Sequence, residues 1–427
     1  MKHFYILAAA SLGIFCANAQ VSVKYSEKSE LVQLMGESMS ENAKYVVGTN
    51  YVTFAPCAWD VENNIYFDFA DLEEGALHAV NNSGFAVGDN GNFAVAGNID
   101  GELVELWRNV GEEVYNEEWD FWYSTGDAGS AAYAVTEDGQ TIFGYYFDST
   151  YDTKPCYWRN GERVDLPVPA YEDVDFNVNG AEVRWCTADG SLLLGYIFDD
   201  LGTWPACMWR LQNDGSYVCD PICKEYFEVD YNNGKPYMLF TPYGMSADGQ
   251  WVSLSIQEEY DAWNWAPETP IQFARLNVAS GALEILADEE ENFNALATPS
   301  CIANDGTMTI IANALAGMVG REAYVWKSGA NKALVFAETF GELEGMDDLL
   351  CNTPCTYSAN GASLQGFAMD ADTNIFSYIV TADGTVKINT IATNNNDSKI
   401  YNVTGQQVND ATAPGLYIVD GKKTVVK

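Results

Sequence analysis

Histidine and basic residues are scarce in this chain. Only two histidines, His3 and His78, occur among 427 residues, and 21 Lys and Arg stand against 61 Asp and Glu, for a net charge of −40. A protein this acidic repels phosphate groups, so neither nucleic acid nor an anionic membrane is an expected partner. A histidine-based metal site is excluded, and any histidine-dependent catalysis would rest on His78, which we expect to be structural.

Long apolar runs are missing everywhere except at the N-terminus. There, Lys2, the apolar run 4–15 and the small residues of Ala17–Ala19 are typical of a secretory signal peptide. We therefore expect residues 1–19 to be removed on export. Lipidation of Cys16 is disfavoured, because the preceding residue is a phenylalanine where lipoprotein processing requires a small side chain. No other run approaches the ~20 apolar residues that cross a bilayer, so no transmembrane segment is predicted.

A repeated pattern occupies most of the remaining chain. Residues 133–166 contain four short apolar and aromatic runs separated by turn signals, which predicts four antiparallel strands. One such sheet cannot bury its faces alone, so copies are needed. Counting this stretch, the pattern occurs seven times around one turn position, at Ala43, Gly91, Gly139, Gly190, Gly249, Gly306 and Gly361. The spacings between successive members of this set are typical of the length of a propeller blade.

Seven four-stranded units predict an all-β, seven-bladed β-propeller over residues 20–390. Six or eight blades remain possible, because unit boundaries are uncertain where the spacing exceeds fifty residues. The segment from Val21 to Met35 resembles the last strand of a unit, so it is predicted to complete the final blade and close the ring. A pair of β-sandwiches would not explain the repeated Trp and Gly positions.

The repeats resemble the HAF type of secreted β-propeller repeat. That pattern has a small residue, an Asn-Gly or Asp-Gly turn, a strand ending in Gly and a strand ending in Trp. The likeness covers most of residues 36–390, and the fifth and seventh units depart from it because they lack the Trp. The resemblance implies a propeller and implies little about activity.

The composition changes after Thr390. Residues 391–398 form a polar linker, and residues 399–427 contain two hairpin-like runs around Pro414-Gly415. Through IYNVTGQQV, PGLYI and the basic end, residues 399–427 resemble the C-terminal sorting domain of Bacteroidetes type IX secretion substrates. The resemblance implies the type IX secretion machinery as a partner and a secreted or outer-surface location. The alternative is a small β-module packed on the propeller.

The cysteines fall into two classes. Three precede a repeated Trp by two residues and are expected to be small buried side chains; these are Cys57, Cys156 and Cys207. Two pairs in loop-like segments are candidate disulfides of an exported protein; these are Cys219 with Cys223 and Cys351 with Cys355. A zinc site is not expected because histidine partners are missing, and no cofactor is predicted.

Two aromatic clusters are the candidate ligand-binding sites. Trp119 and Trp122 lie between the second and third units, and Trp263 and Trp265 interrupt the fifth. Tryptophan beside acids and amides suits a flat polyhydroxylated ligand or the hot spot of a protein partner. Packing between blades would also explain them.

The sequence therefore predicts a binding or scaffolding propeller that recognises a protein or a glycan. The first alternative is a glycan-active hydrolase that uses carboxylates and no histidine. Its acids cannot be selected from sequence, and the candidates include Glu117, Glu118, Asp199, Asp200, Asp347 and Asp348. The second alternative is an architectural surface component with no discrete ligand.

Overall fold

A computed structural model describes residues 21–27, 29, 31–116, 120–168, 178–199, 205–222, 237–261, 266–267, 271–286, 293 and 296–382, together with four strands of the C-terminal tail. Residues Val21–Thr381 form one compact unit, and the tail from Ala382 belongs to a second. In the part of the chain so described, no helix is long and apolar enough to cross a membrane. The predicted signal peptide, residues 1–19, lies outside the described residues.

The chain is a seven-bladed β-propeller, and its blades are consecutive antiparallel sheets. The N-terminal strand β1 (Val21–Tyr25) precedes blade 1, which contains β2 (Leu34–Met39), β3 (Tyr45–Asn50), β4 (Pro56–Asp60) and β5 (Ile65–Asp68). Blade 2 contains β6 (Ala76–Val80), β7 (Phe85–Asp89), β8 (Ala94–Asn98) and β9 (Val104–Glu105). A separate hairpin follows, made of β10 (Glu113–Asn116) and β11 (Phe121–Ser124).

Blades 3 to 5 repeat this order. Blade 3 contains β12 (Gly129–Val135), β13 (Thr141–Phe147), β14 (Thr153–Arg159) and β15 (Glu162–Asp165). Blade 4 contains β16 (Val178–Cys186), β17 (Leu192–Asp199), β18 (Ala206–Leu211) and β19 (Tyr217–Pro221). Blade 5 contains β20 (Tyr237–Met245), β21 (Trp251–Asp261), β23 (Gln272–Asn277) and β24 (Leu283–Ile285), with the short β22 (Ala266–Pro267) paired to β21.

The last two blades and the tail complete the chain. Blade 6 contains β25 (Thr298–Ile302), β26 (Met308–Ala312), β27 (Glu322–Trp326) and β28 (Leu334–Val335), and the one-turn helix α1 (Phe336–Phe340) follows. Blade 7 takes β29 (Cys351–Tyr357), β30 (Ser363–Met369) and β31 (Ile375–Ala382). The tail forms its own sheet from β32 (Ile400–Asn402), β33 (Gln407–Val408), β34 (Gly415–Val419) and β35 (Lys422–Val426).

The ring closes through the N-terminal strand, as predicted. Strand β1 pairs with β31 and becomes the fourth strand of blade 7. The backbone N–H of Ser26 donates to the carbonyl of Ser377 (2.9 Å), and Tyr25 packs edge-on against Phe376. The closing segment is shorter than expected, because Leu34 and Met35 already belong to blade 1. Pairing the first and last strands of the propeller in one sheet removes an open edge.

The turn between the first and second strands of a blade has a repeated hydrogen-bond pattern. In blade 3 the Thr136 hydroxyl donates to Asp138 (2.7 Å) and accepts from the backbone N–H of Thr141 (3.1 Å). The same Asp138 carboxylate accepts from the N–H of Gln140 (2.9 Å). Equivalent Ser or Thr donors to Asp or Asn occur at Ser40, Thr187, Ser246 and Ser358. The repeated Ser/Thr-x-Asp/Asn motif thus forms the turn.

These turns also join neighbouring blades at one end of the propeller. Hydrogen bonds cross six of the seven junctions between described turns, at 42–82, 81–137, 137–188, 248–304, 304–359 and 359–41. All first-to-second turns therefore lie at the same end, which we call the turn end. Because the strands are antiparallel, the second-to-third loops and the connections between blades lie at the opposite end, which we call the loop end.

The repeated Trp and Cys residues fill the layers between blades. Trp59, Trp158 and Trp209 are buried, and their indole N–H groups donate to Asn64, Trp107 and Pro167. The three cysteines that precede them by two residues are fully buried, as predicted; these are Cys57, Cys156 and Cys207. The core is a series of apolar layers between adjacent sheets, as where Phe143 of blade 3 packs with Trp209 of blade 4.

The predicted anchor of the second unit is wrong. Gly84 ends the turn between β6 and β7, whereas Gly91 lies between β7 and β8. Both Ser83-Gly84 and Asn90-Gly91 are turn signals. Asn90-Gly91 is the stronger of the two, so the prediction anchored the second unit there and placed its strands out of register. Blade 2 also lacks the Trp of the third strand, because Trp107 follows β9.

Candidate functional site

A cavity of about 340 Å³ lies where the seven blades meet. Its walls come from the innermost strand of every blade, and it extends to the first-to-second turns, so it belongs to the turn end. The volume lies within the range of small-molecule pockets. The ring of blades therefore creates a site that no single repeat contains.

A β-bulge in each innermost strand supplies a residue that lines this cavity. The strand pairing skips one residue in blades 1 to 5 and in blade 7; these are Glu37, His78, Tyr133, Arg184, Tyr243 and Cys355. In blade 6 the shift falls between Pro299 and Ile302, and Cys301 lines the cavity there. A bulge leaves its extra residue unpaired and re-aims its side chain.

In blades 1 to 4 and in blade 7 a Gly of the second strand makes room for the bulge; these are Gly48, Gly88, Gly144, Gly195 and Gly366. An added Cβ on Gly144 would lie 2.0 Å from the carbonyl oxygen of Ala131, and one on Gly195 would lie 1.8 Å from that of Glu182. Atoms cannot approach so closely, so any side chain at these positions would push the innermost strand away. The glycine seen in the sequence therefore shapes the cavity wall.

His78 is held between two carboxylates that come from two blades. Its Nδ1 lies 2.6 Å from Glu37 of blade 1, and its Nε2 lies 2.8 Å from Asp89 of its own blade. Burial acts to lower the pKa of His78, but the charges and hydrogen bonds of Glu37 and Asp89 outweigh it and raise the pKa to about 9. The imidazole is therefore a cation at neutral pH.

Tyr133 lies between two cations. The His78 ring stacks on it at 4.1 Å, and the guanidinium of Arg184 lies 3.6 Å from its centroid. The charge of Arg184 is neutralised by Glu182, whose carboxylate accepts a hydrogen bond from Arg184 Nε (2.8 Å). Burial raises the pKa of Tyr133, which keeps the phenol neutral. Glu37, His78, Tyr133 and Arg184 thus form a continuous stack across blades 1 to 4, with each cation paired to acids.

Two further carboxylates lie at the turn end of the cavity. Glu41 follows the first strand of blade 1, Glu137 follows that of blade 3, and both are half-buried. Burial, and then the charge of Glu137, raises the pKa of Glu41. Glu137 accepts a hydrogen bond from the backbone N–H of Asn82 (3.2 Å), and within the described part of the chain neither acid forms an ion pair. This pair faces the cavity with its charge uncompensated.

Of the predicted aromatic sites, the structure describes Trp122, which lies at the other end. Trp122 lies on β11, is 65% exposed and packs against Tyr115 of β10 at 5.2 Å. That hairpin belongs to the connection between blades 2 and 3. Trp119, Trp263 and Trp265 lie outside the described residues. Trp122, the one predicted ligand-binding residue that the structure describes, does not line the axial cavity.

Exposed apolar side chains are concentrated at the loop end. Of the nineteen exposed large hydrophobics in the described ranges, thirteen lie in second-to-third loops or between blades; these are Leu31, Tyr51, Val52, Phe54, Trp107, Val110, Tyr115, Trp122, Tyr123, Tyr151, Leu296, Leu315 and Val319. The other six lie on third or outermost strands; these are Ile65, Val104, Val164, Leu211, Val218 and Ile285. In the described part of the chain none of the nineteen lies in a first-to-second turn, so most of the exposed apolar surface is at the loop end.

Two of these aromatic residues have a strained backbone. Phe54 has φ +61° and Tyr151 has φ +66°, in the left-handed region that bulky residues rarely adopt. Their side chains are 58% and 76% exposed, so burial does not offset the strain. A strained backbone that holds an exposed aromatic side chain indicates a function for that side chain.

The structure contradicts one predicted disulfide. Cys351 and Cys355 are both free thiols, and they lie four residues apart on β29. A strand rises ~3.3 Å per residue, so even with the bulge at Cys355 their Cα atoms are too far apart for a disulfide. Cys219 is also a free thiol, and Cys223 lies outside the described residues.

Of the candidate acids of the hydrolase alternative, the structure describes the side chains of Asp347 and Asp348 alone. Asp347 and Asp348 are exposed in the connection after blade 6, away from the cavity lining. Glu117, Glu118 and Asp200, and the side chain of Asp199, lie outside the described residues. The acids that line the cavity are Glu37, Glu41 and Glu137, which sequence reasoning missed.

A positional signal could have found the cavity residues. In six blades the bulged residue stands three positions before the residue that opens the turn, as with His78 before Asn81 and Arg184 before Thr187. Their types differ from blade to blade, so they form no recognisable motif. Sequence reasoning assigned His78 a structural role, and the structure places it in the cavity wall.

Comparison with known proteins gives only distant likenesses. No family model and no curated protein sequence matches the chain. The β-propeller domain of Cps50 (Swd1) from Myceliophteria thermophila is similar over 85% of this chain and 99% of that one, at 12% identity and a TM-score of 0.46. Streptogramin B lyase is similar over 86% of this chain and 99% of that one, at 12% identity and a TM-score of 0.44. Hydrazine synthase of Kuenenia stuttgartiensis is similar over 83% of this chain and 97% of that one, at 12% identity and a TM-score of 0.45.

These likenesses carry no argument about activity. What the chain's own sheets establish is its architecture, seven blades closed by an N-terminal strand.

Proposed function

We propose that the protein is an exported binding module whose loop end recognises a protein or a glycan. The observation that carries this proposal is the concentration of exposed aromatic side chains at that end, with Phe54 and Tyr151 held in strained backbone. Exposed aromatic rings supply large contact areas with little loss of side-chain entropy, and they stack well on sugar rings. The predicted sites at Trp119, Trp122, Trp263 and Trp265 belong to the same proposal.

The test compares two sets of substitutions in the full-length protein. A loop-end variant combines Phe54→Ser, Trp122→Ala and Tyr151→Ala, and a matched control combines Ile65→Ser, Val164→Ser and Ile285→Ser on outermost strands. On a glycan array, and in cross-linking to cell-surface proteins, we expect the loop-end variant to lose at least tenfold in binding. The control should bind like the wild type. Equal loss in both variants would show that the loop end is not the site.

The route of export is part of the proposal. Residues 1–19 would direct export and be removed, and residues 399–427, which resemble a type IX sorting domain, would engage the type IX secretion machinery. The tail is consistent with this in forming its own four-stranded sheet. The protein would then be secreted or held at the outer cell surface.

Export can be measured in a bacterium that has type IX secretion. We expect the exported protein to begin at Gln20, and we expect deletion of residues 399–427 to retain it inside the outer membrane. A matched variant that keeps the tail but replaces the linker 391–398 with a Gly-Ser linker of equal length should still be exported. Export of the tail-deleted chain at the wild-type level would contradict the proposal.

Hydrolysis of a glycan by carboxylates is the second candidate. Glu41 and Glu137 favour it, because glycoside hydrolysis needs two carboxyl groups, one of them a general acid with a raised pKa, and burial raises the pKa of Glu41. Release of reducing sugar from a glycan bound on the array, abolished by Glu41→Gln, would support this candidate over simple binding.

A further inference from the structure

The connection between blades 2 and 3 contains an element that belongs to no blade. Residues 69–75 are enough to join β5 to β6, whereas residues 106–128 join β9 to β12 and include the hairpin β10–β11. That hairpin forms its own two-stranded sheet. A two-stranded hairpin is marginally stable alone, so the rest of the fold has to hold it in place.

The base of the hairpin is firmly attached to the propeller. The buried carboxylate of Asp127 is ion-paired with Arg163 of blade 3, and it accepts a hydrogen bond from the backbone N–H of Asn109 (2.8 Å). The two segments of the chain touch beside it, because a Cβ added to Gly111 would lie 2.0 Å from the backbone nitrogen of Gly126. These contacts fix the direction in which the hairpin leaves the ring.

Both faces of the hairpin expose aromatic rings. Tyr115 is paired with Trp122, and Val114 is paired with Tyr123. Successive residues of a strand point to opposite faces, so Trp122 and Tyr123 lie on different faces of the sheet. Tyr115 is 42% exposed, Trp122 65% and Tyr123 40%. Apolar surface that the fold leaves exposed on both faces of one element indicates a contact surface for a partner.

Each face also carries a carboxylate in line with its aromatic residue. Glu113 stands two residues before Tyr115 on one face. Glu112 lies on the face of Tyr123, because its carbonyl accepts from the backbone N–H of Thr125 (3.0 Å) and so continues the same ladder. Both carboxylates are exposed. Each face therefore combines a negative charge with a ring.

The charge of the hairpin is not balanced within the connection. Residues 111–125 contain five acids and no basic residue. Arg108, the one cation in the sequence of residues 106–128, is paired with Glu105. In the described part of this connection Glu112, Glu113 and Asp120 form no ion pair. The acids therefore remain available to cations from outside the chain.

A carboxylate beside an aromatic ring is suited to a guanidinium or ammonium group, which pairs with the acid and stacks on the ring. The protein itself contains this arrangement, because Arg163 pairs with Asp127 and lies 3.4 Å from the centroid of the Tyr146 ring. A neutral glycan offers no charge to these acids, and an anionic one is repelled.

We propose that the hairpin, residues 111–125, is the docking site for a cationic protein. Arg and Lys side chains of that partner pair with the acids and stack on the exposed rings of both faces. The inference rests on the proposed function, because the hairpin is part of the loop end. It deepens that function by giving the chemistry of the partner, which is a protein rich in Arg and Lys.

The test uses fluorescence anisotropy on the full-length protein with three labelled peptides. The peptides share the same apolar residues and differ at every second position, which is Arg, Gln or Glu. We expect measurable binding of the Arg peptide and at least tenfold weaker binding of the other two, because only the guanidinium pairs with an acid and stacks on a ring. Binding of the Arg peptide should weaken as the salt concentration rises.

A charge variant combines Glu112→Gln, Glu113→Gln and Asp120→Asn. All three side chains are exposed, and Asn tolerates the positive φ of Asp120 (+54°), so the variant should unfold at the same temperature as the wild type. We expect it to lose at least tenfold in affinity for the Arg peptide. The single variant Trp122→Ala keeps every acid and should lose about threefold, the size of one exposed cation–π contact.

The matched control makes the same change in net charge elsewhere. It combines Asp100→Asn, Glu102→Gln and Glu162→Gln, which are exposed acids near the outermost strands of blades 2 and 3. It should bind the Arg peptide like the wild type. Equal loss in both triple variants, equal affinity for the Gln peptide, or no measurable binding of the Arg peptide would each overturn the proposal.

Failure of this inference and failure of the proposed function are separable. The charge variant leaves Phe54, Trp122 and Tyr151 in place. If it captured cell-surface proteins like the wild type while the loop-end variant lost them, the hairpin acids would not be the docking site, and the proposed function would stand.

Discussion

Gly195→Ala is expected to be among the most damaging single substitutions in the protein. An added Cβ would lie 1.8 Å from the carbonyl oxygen of Glu182 and 3.1 Å from the Trp209 ring. Both neighbours are buried, so neither backbone nor ring can move without disrupting blade 4. We expect a loss of about 4 kcal/mol or more in the free energy of unfolding, measured by chemical denaturation and calorimetry.

The control for this prediction is Gly101→Ala. The nearest atom to its added Cβ is 3.5 Å away, which is ordinary van der Waals contact, and its φ is not positive. We expect a change of less than about 1 kcal/mol there. A Gly195→Ala protein as stable as the Gly101→Ala protein would mean that the bulge at Arg184 does not depend on the glycine.

His78 should titrate far above the usual range and should make stability depend on pH. Its folded-state pKa is raised to about 9, above the value of 6.5 in an unfolded chain. The charged form is therefore favoured by folding, and its contribution is complete below pH 6.5 and lost as the pH rises through 9. A rise of this size corresponds to about 3 kcal/mol.

Two measurements check this prediction. With only two histidines in the chain, NMR of histidine-labelled protein should show one resonance that titrates near pH 9. The free energy of unfolding of the wild type should fall between pH 6.5 and 10 relative to that of His78→Gln, whose side chain stays neutral at every pH. Titration of His78 near pH 6.5, or parallel pH profiles for the two proteins, would refute the ion-paired imidazolium.

Local patterns in the sequence predicted most of the architecture. Four short runs between Tyr133 and Leu166 became β12 to β15, because turn chemistry and alternating apolar residues act over a few residues. The closing strand was also predicted, since Val21 to Tyr25 looks like the last strand of a blade. Blade 2 was placed out of register because two Gly turns stand seven residues apart, at Gly84 and Gly91.

The disulfide prediction failed for a related reason. The number of residues between Cys351 and Cys355 does not determine the distance between their Cα atoms, because that distance depends on whether the segment is a loop or a strand. The structure makes it a strand, β29, in which residues four apart diverge.

The sequence by itself determined the repeat, the strand-forming runs, the turns that join them and the acidic character of the protein, because each depends on neighbouring residues. Only the tertiary structure decided which residues meet at the axis. Glu37, His78, Tyr133 and Arg184 are separated by 41 to 55 positions and belong to four blades. They come together because their innermost strands bulge at the same height and because the ring closes, and the residue type at the bulged position differs from blade to blade, so no one repeat identifies the set.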